Sequence, residues 1–172
     1  IQDLRYGENP HQNAALYKNE SPKPWDLVSA KQLQGKELSY NNLLDLNAAW
    51  ELVTEFDSSA AVIIKHNNPC GVALGDDQLT AFVRARETDP VSAFGGVLGF
   101  NRPVTAQTAE EILKNFVEAV IAPEFDDSAL ALFAPKKNIR LMEMSGLPQP
   151  VRNLDFKIIS GGLLVQDADR VT

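Results

Sequence analysis

Apolar residues change period several times along the chain, and each change predicts an element. Leu43, Leu46, Trp50 and Val53 recur at spacings of three and four, the period of a helix with one buried face. Ser39 stands upstream as a cap, so a helix is expected over 42–56. Ala60-Ala61-Val62-Ile63-Ile64 is small or β-branched without alternation, which predicts a strand over 60–65 covered on both faces. Asp76 is positioned to cap a helix that runs to residue 88, where Asp89-Pro90 ends it because the residue before proline avoids the α region. Strands are expected over 96–100, 116–122, 139–144 and 158–165, the last interrupted by Gly161-Gly162. Helices are expected over 105–114 and 126–133, and segments 13–17 and 27–33 read as extended. From Asn42 onward helix and strand alternate, which predicts an α/β fold with a mainly parallel or mixed sheet and helices on its faces. In such sheets ligands gather at the carboxyl ends of strands, so the loops after strands hold the candidate chemistry.

Composition narrows the function classes. The 172 residues suit one domain, and a net charge of -7 disfavours a general nucleic-acid or anionic-membrane surface, leaving room for a small pocket that holds one phosphate. No apolar run approaches the roughly 20 residues of a membrane-spanning helix. Cys70, the one cysteine, permits no internal disulfide, which fits a reducing, cytoplasmic setting. The chain opens on Ile1-Gln2-Asp3 and closes directly after a strand-like segment, so both ends read as cut. No internal repeat is found.

Five segments hold candidate chemistry. Lys65-His66-Asn67-Asn68-Pro69-Cys70-Gly71 ends the covered strand, and a turn beginning at Asn67 would bring lysine and histidine into one pocket. Histidine can take and return a proton near neutral pH, and an ammonium can stabilise charge on a carbonyl oxygen. A solvated lysine and a histidine satisfied by a backbone carbonyl explain the same pair. Arg5-Tyr6-Gly7-Glu8-Asn9-Pro10-His11-Gln12 offers a guanidinium fork for phosphate or carboxylate, or is a polar loop. Asp89-Pro90-Val91-Ser92-Ala93-Phe94-Gly95-Gly96 allows close backbone approach to a flat ligand, or simply relieves crowding before a strand. Glu118, inside an apolar strand, must be paired or face a polar cavity unless the strand is an edge in water. Asn41-Asn42 supplies amides for a ligand or for helix capping. One Cys and two His, His11 and His66, do not supply the usual zinc sets, and no phosphate-binding glycine loop or nucleophile elbow occurs. Cys70 beside His66 is readable as a nucleophile, though a cysteine between proline and glycine is more often structural.

The joint order of these segments, with Ser39-Tyr40-Asn41-Asn42-Leu43-Leu44-Asp45 and Val120-Ile121-Ala122-Pro123, resembles the formyltransferase portion of the AICAR transformylase/IMP cyclohydrolase family from Leu4 to at least Gly162. The resemblance implies formyl transfer from 10-formyltetrahydrofolate to the exocyclic amine of the AICAR nucleotide, in a cytoplasmic, multifunctional enzyme of IMP biosynthesis. It implies a cytidine-deaminase-like three-layer unit with a mixed sheet, one of two in the formyltransferase domain, without the deaminases' zinc. It also implies a homodimer whose active sites lie between subunits. By the same resemblance His66 relays the amine proton and Lys65 stabilises charge at the formyl group. Arg5, Tyr6, Asn42, Phe94, Gly95 and Glu118 line the nucleotide pocket, and His11 is structural.

On this reading residues 1–172 are a single unit, the first half of the formyltransferase domain, without the second unit or the cyclohydrolase (hydrolase) domain. The isolated chain is then expected to fold, bind nucleotide weakly and turn over little. Two rivals stand beside it: a non-catalytic packing or dimerisation module of that enzyme, and a zinc hydrolase related through the deaminase fold.

Overall fold

The structure is a computed structural model that describes residues 1–148 and 154–169. A short hairpin of β1 (Gln2–Leu4) and β2 (Ala14–Leu16) precedes a single 3-10 turn at Leu27–Ser29 and strand β3 (Lys31–Gln34). Helix α1 (Tyr40–Thr54) follows, then β4 (Ala60–Lys65), β5 (Asn68–Leu74), α2 (Gln78–Thr88), the short α3 (Pro90–Ala93) and β6 (Val97–Phe100). Next come α4 (Ala106–Ile112), β7 (Ala119–Ala122), α5 (Asp127–Phe133) and β8 (Arg140–Glu143). A second hairpin, β9 (Leu154–Ile159) and β10 (Gly162–Asp167), closes the described chain.

Six strands form one mixed sheet in the order β3-β8-β7-β6-β4-β5. Strands β6, β7 and β8 are mutually parallel, while β4 runs antiparallel to β6 and β3 antiparallel to β8. Helix α1 covers one face, packing Leu46, Ala49, Trp50 and Val53 on Val62, Ile64, Val97, Ile121 and Met142. Residues of α2, α4 and α5 cover the other face, where Phe82, Ala109 and Phe133 meet Ile63, Leu98, Val120 and Leu141. The molecule is therefore a three-layer α/β unit, as the alternation of elements predicts. Each fully buried Leu, Ile or Phe in these layers is worth about 1.5–3 kcal/mol. No described helix is long and apolar enough to cross a membrane.

Several elements differ from their sequence expectation for identifiable reasons. Strand β5 was not anticipated, because Asn68-Pro69-Cys70-Gly71 reads as a loop. Proline is tolerated there because β5 is an edge strand, and the register shifts between Ile63 and Ile64 opposite it. Asp77, not Asp76, caps α2, its carboxylate accepting from Thr80 N–H at 2.7 Å. Residues 27–29 form a 3-10 turn ahead of β3 instead of continuous strand. The expected strand over 158–165 is a hairpin turned at Ser160-Gly161, and Gly161 adopts φ +75. Its pairing puts Leu154, Phe156, Ile158, Leu163 and Val165 on one face, and each is at least half exposed.

Asn101, which sequence reading did not single out, ties the end of β6 to the α1–β4 connection. Its amide donates to Phe56 O at 2.7 Å and Ser58 O at 2.8 Å, and its oxygen accepts from Ala60 N–H at 2.9 Å. Asn101→Ala orphans these buried groups, so a loss of about 2–4 kcal/mol is expected in chemical denaturation. A change below about 0.5 kcal/mol would show the loop held by other contacts.

Between α2 and α4, Glu111 accepts from Lys114 at 2.5 Å and Arg86 at 2.8 Å. The Lys114 hydrogen bond first, and that from Arg86 second, hold its carboxyl below the ordinary glutamate range. A depressed folded-state pKa contributes stability above the unfolded value that is lost as pH falls through the folded one. The melting temperature should therefore fall more steeply below about pH 4.3 in the native chain than in Glu111→Gln. Parallel acid profiles would exclude this linkage.

Candidate active site

The register aligns Ile64, Val97, Ala119 and Arg140 in one row across the sheet. Just beyond that row, on one edge, lie Lys65 and His66, Gly95 and Gly96, Glu118, and the loop that follows β3. The edge is the carboxyl end of β3 and β4 but the amino end of β6, β7 and β8. The candidate residues thus follow two strands and precede three, because β4 and β3 run against the parallel core.

A hollow of about 420 Å³ opens on this edge. Arg5, Tyr6, Asn42 and Glu118 line it, joined by Lys36, Glu37, Ser39, Phe116 and Arg140. The α1 amino terminus supplies one wall of it. Ser39 Oγ accepts from Asn42 N–H at 3.2 Å, and Asn42 Oδ1 accepts from Ser39 N–H at 3.1 Å, a reciprocal capping box. Asn42, 5% exposed, then spends its Nδ2 on Glu118 Oε2 at 3.1 Å. Glu118 is therefore paired at the rim of a polar cavity, one residue before β7, and not inside the strand as expected.

The amino-terminal segment reaches the hollow through a closed loop. Gly7 N–H donates to Gln12 O at 2.8 Å, and Asn41 Nδ2 donates to Glu8 O at 3.3 Å, fastening the loop to α1. The Arg5 guanidinium lies 5.7 Å from the Tyr6 ring centre, and Arg5 is exposed toward solvent. Among the described residues no carboxylate forms an ion pair with Arg5. His11 is exposed in the same loop and does not line the hollow.

Lys65 and His66 lie on the same edge but do not line this hollow. His66 and Asn67 have φ +51 and +61 and form the two-residue turn between paired Lys65 and Asn68, the signature of a type I′ hairpin. The turn thus begins one residue earlier than expected. Asn-Gly is the sequence such a turn favours, and here His66 takes the first left-handed position at some cost in backbone strain. Asn67 N–H donates to Asp45 of α1 at 2.6 Å, which anchors the turn, and His66 is exposed. Lys65 Nζ donates to Phe94 O at 2.7 Å. The Phe94 ring, 59% exposed, lies 5.5 Å from Phe116, which also lines the hollow. Gly95 at φ +72 donates its N–H to Phe116 O at 2.8 Å, holding this aromatic pair together. The eight residues picked from the sequence therefore fall into two neighbouring groups, bridged by Phe116.

Sequence reading missed Lys36, Arg140 and Phe116, since basic and aromatic residues near element ends carry no periodic signal. Cys70 Sγ donates to Ile63 O at 3.5 Å, and burial first, then the charge of Asp89, push its thiol up. A thiol kept protonated in this way is a poor nucleophile, which favours the structural reading. Among the described residues no group of three or more His, Cys, Asp or Glu gathers to hold a metal ion.

Two solved structures resemble the chain in part. The "Acinetobacter baumannii RibD, form 1" structure is 15% identical with a TM-score of 0.47, covering 57% of this chain and 35% of that one. The form 2 structure is 14% identical with a TM-score of 0.43, covering 57% and 33%. The chain thus spans about a third of their length, and so partial an overlap carries no conclusion about function. The family model of the AICARFT/IMPCHase bienzyme, by contrast, matches residues 1–172, and the chain therefore belongs to that family of bifunctional purine-biosynthesis enzymes.

Proposed function

We propose that the chain is the nucleotide-side unit of a formyltransferase that moves formyl from 10-formyltetrahydrofolate to the AICAR amine, in the cytoplasm. We place it as the first of two deaminase-like units in that domain. The observation that carries the reading is the convergence of Arg5, Tyr6, Asn42 and Glu118 on one hollow. An arginine over a tyrosine ring suits an anionic, partly aromatic ligand, and Glu118, braced by Asn42, can accept from ligand hydroxyls.

The AICAR amine is a weak nucleophile because its lone pair is delocalised. As its nitrogen attacks the formyl carbon, His66 takes the amine proton and returns it to the departing folate nitrogen. Lys65 stabilises negative charge on the formyl oxygen. Holding both substrates together supplies the rest of the acceleration, with no covalent enzyme intermediate. The exposed Phe94 ring beside Lys65 offers a flat surface for the nucleotide's ring.

Adding AICAR should raise the melting midpoint of the native chain through linkage, by about 2.7 kcal/mol of stability at a hundredfold excess over Kd. Arg5→Ala should show a smaller rise. No shift at saturating ligand would favour the second reading, a packing or dimerisation module. That reading has its own support in the β9–β10 hairpin, whose apolar face is uncovered and which is too small to be stable alone. On it, as in the homodimer expected of the full enzyme, Phe156→Asp should raise the monomer fraction in sedimentation.

A further inference from the structure

We infer that Asp45 is a positioning residue for formyl transfer, holding the turn that presents His66 through the backbone amide of Asn67. The inference deepens the proposed function and rests on its assignment of the proton relay to His66.

The turn is not a conformation these residues favour on their own. His66 and Asn67 both have positive φ, +51 and +61, a region that costs any residue with a Cβ. Such a turn persists only when its surroundings over-determine it. Two side chains do so here. Asn68 Nδ2 donates to His66 O at 2.8 Å, within the hairpin, and Asp45 Oδ1 accepts from Asn67 N–H at 2.6 Å, from outside it. The Asp45 bond is charge-assisted, a kind about twice as strong as a neutral pair. It is also the bond that ties the turn to another element.

No local task on α1 explains Asp45. Helix-dipole effects fade beyond the first turn, and Asp45 lies past it, while Ser39 and Asn42 already complete the cap. Among the described residues Asp45 forms no ion pair, and it does not line the hollow. It stands three residues after Asn42, which puts the two on one helix face. Asn42 holds Glu118 of the hollow at 3.1 Å, and Asp45 holds the turn. One helix face therefore fixes where the turn stands relative to the carboxylate of the hollow.

Steady-state formyl transfer by the complete bienzyme tests this in Asp45→Ala, Asp45→Asn, His66→Ala and the double variant of the two alanines. Asp45→Ala should lower kcat about 10- to 100-fold, the loss that a misplaced catalytic group brings, with KM for AICAR unchanged. Asp45→Asn keeps an acceptor oxygen and should recover most of that loss. The double variant should be no slower than His66→Ala, because Asp45 acts through His66. A residue that only stabilised the fold would add its own loss. Native kcat in Asp45→Ala beside a slow His66→Ala overturns the inference while the His66 reading stands. Additive losses, or a loss that asparagine does not recover, overturn it in the same way. Native turnover in His66→Ala overturns both.

Discussion

His66→Ala in the complete bienzyme is expected to lower formyl transfer about 10²- to 10⁴-fold while AICAR affinity holds, the loss typical of removing a general base. The side chain sits on a type I′ turn anchored through Asn67 to Asp45, outside the hollow that Arg5 and Glu118 line. Truncation there removes the proposed proton carrier and leaves the residues that line the hollow in place. Alanine also keeps the strain of positive φ, so His66→Asn separates the two effects. Asparagine accepts the left-handed turn and should rescue stability but not turnover. Turnover that persists in both variants would place the proton relay elsewhere.

The second large effect concerns the layer under that turn. A Cβ at Gly71 would stand 2.1 Å from Ala85 O and 2.8 Å from Ala85 C, both backbone atoms of α2. Neither can rotate away, so strand and helix must part. Gly71→Ala should cost at least about 3 kcal/mol in denaturant unfolding. Gly162→Ala is the control, because its Cβ would meet Ile159 side-chain carbons at 3.5 Å and 3.6 Å, an ordinary contact. It should change stability by less than about 0.5 kcal/mol. Equal effects at the two glycines would contradict the close packing of α2 on β5.

Those contacts also explain what could be read in the sequence. Helix α1 and strand β4 were legible because Ser39 caps a clear apolar stripe and because 60–64 lacks alternation, signals local to their own segments. Strand β5 was not, since only its edge position makes Pro69 acceptable, and edge position is a property of the sheet. The reversal of the site to the amino ends of β6–β8 follows from strand direction, which alternation of elements leaves open between parallel and mixed sheets. Arg5, Tyr6, Asn42 and Glu118 were named through the family resemblance, their spacing alone leaving bland explanations open. Lys36 and Arg140 had no signal, because what joins them is the absent Cβ of Gly35 against a strand 105 residues later.

A crystal structure of the chain with AICAR bound tests the central assignment most directly. The nucleotide should occupy the hollow between the α1 amino terminus and Glu118, within hydrogen-bonding distance of Arg5, its amine turned toward His66. Density for the nucleotide on another face, with that hollow filled only by solvent, would contradict the account.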